Sequence, residues 1–204
     1  MVGYLLDPAN AITAVGLVLA SVAINFALAG RMECSIALGL WAMLADQLDG
    51  VVASRTKNRQ KNYAKMGKSL DGFADIVYGA ILPALLVILL SDGAVYSRAV
   101  AVLMILAGAL RLSYFNNFGL SEDGYFTGLP LSYDIPLLSL LFIVDRWCFP
   151  FLTPTNVASI FLLVSVLHIS PLLIPSPGKA IYSAIVAYSL VATGFLLAPL
   201  TGVW

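Results

Sequence analysis

Two pairs of aspartates stand within thirty residues of each other, Asp46 with Asp49 and Asp71 with Asp75. The chain around them is 60% hydrophobic and has 11 acidic residues in all, so four in one stretch need a chemical reason. The spacings are i, i+3 and i, i+4, and each places a pair on one face of a helix. Carboxylates at one membrane depth repel one another, and each costs roughly 2.5 kcal/mol or more in hydrocarbon without a partner. A divalent cation removes both penalties. Hard carboxylate oxygens suit Mg²⁺, Mn²⁺ or Ca²⁺, and two pairs can hold two ions, an arrangement suited to phosphate-ester chemistry. Gly50, Gly67 and Gly72 flank the acids. Ala53 and Gly67 leave room for a flat or phosphorylated ligand to approach the backbone, although small residues also serve close helix packing in membranes.

The elements that position these acids follow from hydropathy. Only 11% of the 204 residues are charged, against about 25% in a soluble domain, and apolar runs near the roughly 20 residues of a spanning helix recur along the chain. They cover about 10–29, 34–53, 67–90, 95–115, 131–147, 156–173 and 181–200. The fold class is therefore all-α: a polytopic membrane protein of six to eight transmembrane helices in one domain, 1–204. Pro136 and the 147–154 region leave the count open by one. Asp7 and Pro8 mark a helix start. The N-terminus lacks a basic region of the signal-peptide kind, so the first run is expected to be a retained helix.

Charge sets the orientation. The segment 54–68 carries six basic residues, Arg55, Lys57, Arg59, Lys61, Lys65 and Lys68. With that segment in the cytoplasm, Arg111 and Lys179 fall on the same side and only Arg31, Arg98 and Arg146 on the other, eight against three. The N-terminus and all four aspartates then lie at the cytoplasmic face. The basic segment serves as this orientation signal and also suits anionic lipid phosphates.

The segment 46–75 resembles the signature of the CDP-alcohol phosphotransferases, D-x2-D-G-x2-A-R-x8-G-x3-D-x3-D. Asp46, Asp49, Gly50, Ala53, Arg55, Gly67, Asp71 and Asp75 carry the match. Ser54 intervenes between Ala53 and Arg55, and seventeen residues separate Asp49 from Gly67 where the pattern has thirteen. The extra four residues amount to about one helical turn, which a helix or connector can absorb without rotating the acids. ANAITAVGL (9–17), YGAILPA (78–84), ALRLSYFN (109–116) and GYFTGLP (124–130) are similar to segments of the bacterial and archaeal phosphatidylserine synthases. Residues 165–179 echo their C-terminal motif more weakly.

The resemblance implies transfer of a phosphatidyl group from CDP-diacylglycerol to a small alcohol, L-serine first, with release of CMP. It implies that Asp46, Asp49, Asp71 and Asp75 hold Mg²⁺ or Mn²⁺, two ions in all, and that Asp75 is the general base on the alcohol. Asn10, Thr13, Gly50, Ala53, Arg55 and Gly67 would line the CDP-lipid site. Arg111, an arginine within an apolar run, would meet the lipid phosphate or the acceptor. The implied setting is a prokaryotic cell membrane, with membrane lipids as partners and no nucleic acid; the Gly and Ala content of the third and fourth runs reads as close helix packing, a homodimer interface included. Tyr114 stands where the serine branch has a second arginine, so another acceptor, glycerol phosphate or inositol phosphate, stays open.

Other residues read more plainly. His168 is a lone histidine on an apolar helix and is expected to be a packing residue. Glu122 and Asp123 are expected to face water, Trp41, Trp147 and Trp204 to anchor at the interface, and Cys34 and Cys148 to be buried thiols. An ion-coupled carrier would have its acids near the bilayer midplane and a repeated half, and neither is visible. An intramembrane prenyltransferase would carry its two aspartate motifs in separate halves of a longer chain.

Overall fold

The computed structural model describes residues 1–198. It contains helices α1 (Pro8–Leu28), α2 (Met32–Arg55), α3 (Lys61–Ile76), α4 (Leu82–Leu89), α5 (Val95–Phe118), α6 (Asp134–Trp147), α7 (Pro154–His168) and α8 (Lys179–Leu197), with two short strands, β1 (Tyr125–Thr127) and β2 (Leu173–Pro175). A π-helical turn, Val77–Ile81, joins α3 to α4, so the two make one 30-residue rod, Lys61–Leu90. Among the described residues the chain thus forms seven helical rods, matching the seven apolar runs. Five are long and apolar enough to cross a membrane. The rods α6 and α7, of 14 and 15 residues, are shorter than the hydrocarbon core, because the loops before and after them leave the helix early. The seventh run was expected to reach Leu200; its end and Trp204 lie outside the described residues.

The first two helices pack through small side chains. Ala9, Thr13, Gly16, Ala20, Ala23 and Ala27 recur every three or four residues along α1 and are all buried. A Cβ on Gly16 would come within 3.2 Å of the Ala45 Cβ and 3.3 Å of the Ala42 carbonyl oxygen. Such a stripe lets two backbones approach closely, which is how helices associate where lipid removes the hydrophobic drive. The opposite face of α1 exposes Val15, Val18 and Val22, residues at home in lipid. Larger side chains, among them Ile36, Leu40, Met43, Leu82, Leu86 and Phe161, fill the bundle centre.

Two backbone features govern the site. Pro83 has no N–H to donate, and the turn before it widens so that the Leu82 N–H reaches the Val77 carbonyl; such π-bulges rotate the side chains that follow. The second feature is the strap between α5 and α6. Gly119 ends α5 at φ +71°, and β1 then pairs antiparallel with β2, Phe126 opposite Ile174. The strap is further tied by Gly128 N–H to the Leu172 carbonyl (2.8 Å) and by Leu129 N–H to the Leu167 carbonyl (3.0 Å). Gly128 sits at φ +74°, and a Cβ there would overlap the His168 carbonyl oxygen.

Cys34 is half-buried and Cys148 exposed. Cys148 departs from the burial expected of it because it caps the C-terminus of α6, where the chain leaves the bundle.

Gly128→Ala adds a Cβ both to a left-handed backbone and against a carbonyl. It is expected to cost about 1–3 kcal/mol from the conformation alone and more from the overlap, read as a lowered thermal midpoint of the detergent-purified protein.

Candidate active site

The helices α2 and α3 run antiparallel, and their acids meet. Asp46 and Asp49 from α2 and Asp71 from α3 each present a carboxylate oxygen within 4.8 Å of the other two. Asp75 lies one turn further along α3 and joins the group through Tyr78. The Tyr78 hydroxyl is 2.9 Å from Asp46 Oδ2 and 2.8 Å from Asp75 Oδ1. It has one proton for two acids, and it occupies the first turn of the π-helical segment, where the widened helix aims it between them. Thr13 of α1 reaches Asp49 with its hydroxyl. The same hydroxyl lies 3.1 Å from the Ala9 carbonyl, so it too shares a single proton.

No basic side chain among the described residues forms an ion pair with this cluster. The ion pairs among the described residues are Arg59 with Asp7, Arg146 with Glu33, and His168 with Asp134, and none includes the four acids. Asp46 Oδ1 is buried and has no hydrogen-bond partner. Three converging carboxylates, one with an unused buried oxygen, form a donor set of hard oxygens that fits a divalent cation.

The basic segment contributes differently from the expectation. Arg55 is exposed on the last turn of α2. Arg59 is the guanidinium that turns inward. Its Nε donates to Asp7 Oδ2 (3.1 Å), and its Nη2 donates to Asp7 Oδ1 (2.8 Å) and Asn10 Oδ1 (2.7 Å). Burial opposes ionisation of Asp7, yet the Arg59 guanidinium and the Asn10 backbone N–H hold its carboxyl below the ordinary value of 3.8. The Asn10 amide also donates to the Tyr4 carbonyl (3.0 Å) and the Tyr63 carbonyl (3.2 Å). Asn10 therefore spends its amide on the junction between the N-terminus and the α2–α3 connection. The space above Gly67 is filled by Asn10 Oδ1 and Arg59 Nη2. Gly50 is different, being exposed with no atom within 4 Å of a would-be Cβ, and Ala53 is half-buried on the same helix. The connection 56–60 between α2 and α3 carries Arg59.

Arg111 of α5 approaches from the other side. It is buried, its guanidinium carbon lies 5.1 Å from the Phe115 ring and 5.4 Å from the Phe126 ring, and its Nε and Nη2 have no hydrogen-bond partner. A buried cation held between aromatic faces with free donors has the chemistry to accept an anion. Tyr114, by contrast, is exposed and stacks on Phe118 at 4.8 Å.

A cavity of about 700 Å³ opens between α2, α6, α7 and α8, lined almost wholly by apolar groups and by none of the four aspartates. Gln47, the residue after Asp46, belongs to its wall, as do Phe126 and Asp134. His168 is buried as expected, with Nδ1 2.8 Å from the Leu129 carbonyl and Nε2 3.0 Å from Asp134 Oδ1.

The sequence over residues 6–196 matches the CDP-alcohol phosphatidyltransferase family. The chain belongs to that family. Within it, the protein is 32% identical over 148 residues to an archaetidylserine synthase of Methanothermobacter thermautotrophicus. That alignment covers 72% of this chain and 60% of the relative, so the chain matches somewhat over half the relative's length. Residues 46–75, which resemble the family signature, run from α2 through the 56–60 connection into α3. Sequence reasoning named the four acids but missed Tyr78 as their bridge, Arg59 and Asp7 as an inward-facing pair, and Asp134. The signal for Asp134 was an acid opening an apolar run. Nothing local distinguished Arg59 from its basic neighbours.

Two measurements check this site. Mn²⁺ titration followed by electron paramagnetic resonance should show binding by the wild type, and Asp71→Asn should weaken it by at least about tenfold, roughly 1.4 kcal/mol. The Asp7 carboxyl has a lowered folded pKa, so its stabilisation is complete above the ordinary 3.8 and is lost as pH falls below it. Acidification through that range should expose the N-terminal junction to protease, and Arg59→Ala should expose it already at neutral pH.

Proposed function

We propose that this protein transfers a phosphatidyl-type group from a CDP-activated lipid, CDP-diacylglycerol or its archaetidyl counterpart, to the hydroxyl of a small alcohol, releasing CMP. L-Serine is the first acceptor. The observation that carries the reading is the cluster of Asp46, Asp49 and Asp71, without an ion pair among the described residues and joined to Asp75 through Tyr78. The family and the serine-type name of the relative support it.

Asp46, Asp49 and Asp71 would hold Mg²⁺ or Mn²⁺, Asp75 would contribute to a second ion, and Ca²⁺ would suit the same oxygens. When bound, the metal supplies charge stabilisation to the phosphates and the leaving CMP. The remaining work falls to the chain. Asp75 accepts the proton of the acceptor hydroxyl as that oxygen attacks the β-phosphorus. Tyr78 fixes the Asp75 and Asp46 carboxyls relative to each other, and Thr13 fixes Asp49. Gly50 and Ala53 leave the nucleotide room against α2, while Asn10, Gly67 and the Asp7–Arg59 pair form the wall behind it. Arg111 takes an anionic group, the lipid phosphate or the acceptor's carboxylate. The apolar cavity beside Gln47 suits the hydrocarbon of the lipid and keeps water from the reacting phosphate.

The second reading keeps the donor and changes the acceptor to glycerol phosphate or inositol phosphate. The unpartnered Arg111 favours any anionic alcohol, and no second arginine stands at Tyr114 to prefer serine. The basic segment supports a cytoplasmic site and N-terminus in a prokaryotic cell membrane. A homodimer also belongs to this reading, although Gly79 and Gly108 already serve packing within the chain, against Leu131 and Ala80.

The decisive assay incubates purified protein with CDP-diacylglycerol and Mn²⁺ or Mg²⁺, offers serine, glycerol-3-phosphate, inositol phosphate or ethanolamine separately, and measures CMP. Release with serine is expected, and release with none of them would refute the transferase. Asp75→Asn should retain CDP-lipid binding and lose about 10²–10⁴ in turnover.

A further inference from the structure

Asp134 and His168 are buried in an otherwise apolar region; Asp134 borders the apolar cavity, and neither takes part in the proposed proton transfer or metal binding. The imidazole lies between two oxygens. Leu129 offers a carbonyl, which can only accept, so Nδ1 carries a proton. Nε2 faces the Asp134 carboxyl at 3.0 and 3.2 Å, and a proton lies between them whichever group owns it. The histidine is thereby held from both sides, and its Nδ1–H grips the strap that joins α5 to α6.

That grip is placed where the strap matters. Leu129 and Gly128 are also tied by their backbone N–H groups to the end of α7 and the residues after it. Gly128 lies too close to the His168 carbonyl for any side chain. Only two residues before Gly128 is Phe126, whose ring covers Arg111 at 5.4 Å and touches the Phe115 ring at a centroid distance of 5.4 Å. Phe126 also forms part of the cavity wall. The free donors of Arg111 point where they do because two rings confine the guanidinium, and one of those rings belongs to the strap.

We propose that Asp134 and His168 are positioning residues: they latch the α5–α6 strap through the Leu129 carbonyl and so hold Phe126 over Arg111, setting the affinity of the site for the anionic group of its substrate. The inference rests on the transferase reading for its kinetic consequence but not for the latch itself. The shared chemistry is a phosphate or carboxylate on Arg111; whether it comes from the CDP-lipid or from the acceptor is read from which KM changes.

The test uses the full chain in detergent or nanodiscs. In His168→Gln the amide reaches toward Asp134 but abandons the Leu129 carbonyl. The KM of either serine or CDP-diacylglycerol should rise by roughly tenfold or more with kcat little changed, and hydrogen–deuterium exchange of peptides spanning 124–133 should accelerate. Asp134→Asn supplies a neutral amide N–H to Nε2 and leaves Nδ1–H on Leu129, so it should retain slow exchange and a KM within about threefold of wild type. Phe126→Leu keeps the latch and removes the ring, and should reproduce the KM rise without faster exchange at Leu129; it carries the test if His168→Gln does not fold. Unchanged exchange and KM in His168→Gln would overturn the proposal. So would an inactive Asp134→Asn, since the carboxylate charge rather than the latch would then be what matters. If the wild type releases no CMP with any acceptor, the transferase reading fails while the exchange data still decide the latch.

Discussion

Carboxylates placed close together inside an apolar bundle are the constraint on which the rest of this structure depends. Asp46, Asp49 and Asp71 bring three oxygens within 4.8 Å, and no basic side chain of the described residues pairs with them. Their repulsion cannot be relieved by moving apart, because α2 is fixed against α1 by a stripe of small residues and α3 continues into a rod whose far half is packed in the core. Held in this way, the acids form a preorganised site for charge of the opposite sign. The small-residue stripe is therefore part of the chemistry. Bulkier side chains on α1 would withdraw Thr13 from Asp49 and widen the space in which the acids converge.

The basic residues divide into distinct physical roles. Arg59 pairs with Asp7 and Asn10 and closes the N-terminus over the start of α3, behind the acids. Arg111 is buried with unused donors and stays close to Asp75 without pairing to it. Arg55 and the exposed lysines of the α2–α3 region remain in water, where they suit orientation and attraction to anionic lipid. Arg59 is thus spent on an ion pair, while the Arg111 guanidinium lies against the Phe115 and Phe126 rings.

Much of the architecture was legible in the residue pattern. The apolar runs correspond to the seven rods, and the i, i+3 and i, i+4 spacing of the acids corresponds to their shared faces, because both depend on local periodicity. Between the two pairs the chain completes α2, turns through 56–60 and enters α3, so both pairs keep their helical spacing. The shortness of α6 and α7 was less visible, since hydropathy continues past the points where the strap and the Pro-rich turn draw the backbone out of helix. The β1–β2 pairing was not legible at all, because it joins segments nearly fifty residues apart.

What the sequence determined by itself is the membrane fold, the family and the four acids, for these rest on composition, period and spacing along one chain. The tertiary structure decided which of the basic residues turns inward, that Tyr78 bridges Asp46 to Asp75, that Asn10 is consumed by the N-terminal junction, and that His168 with Asp134 fastens the strap above Arg111. Each of these joins groups distant in sequence, or depends on a widened turn that aims one side chain. Only the packed bundle brings such partners within hydrogen-bond distance, and local propensity carries no record of them.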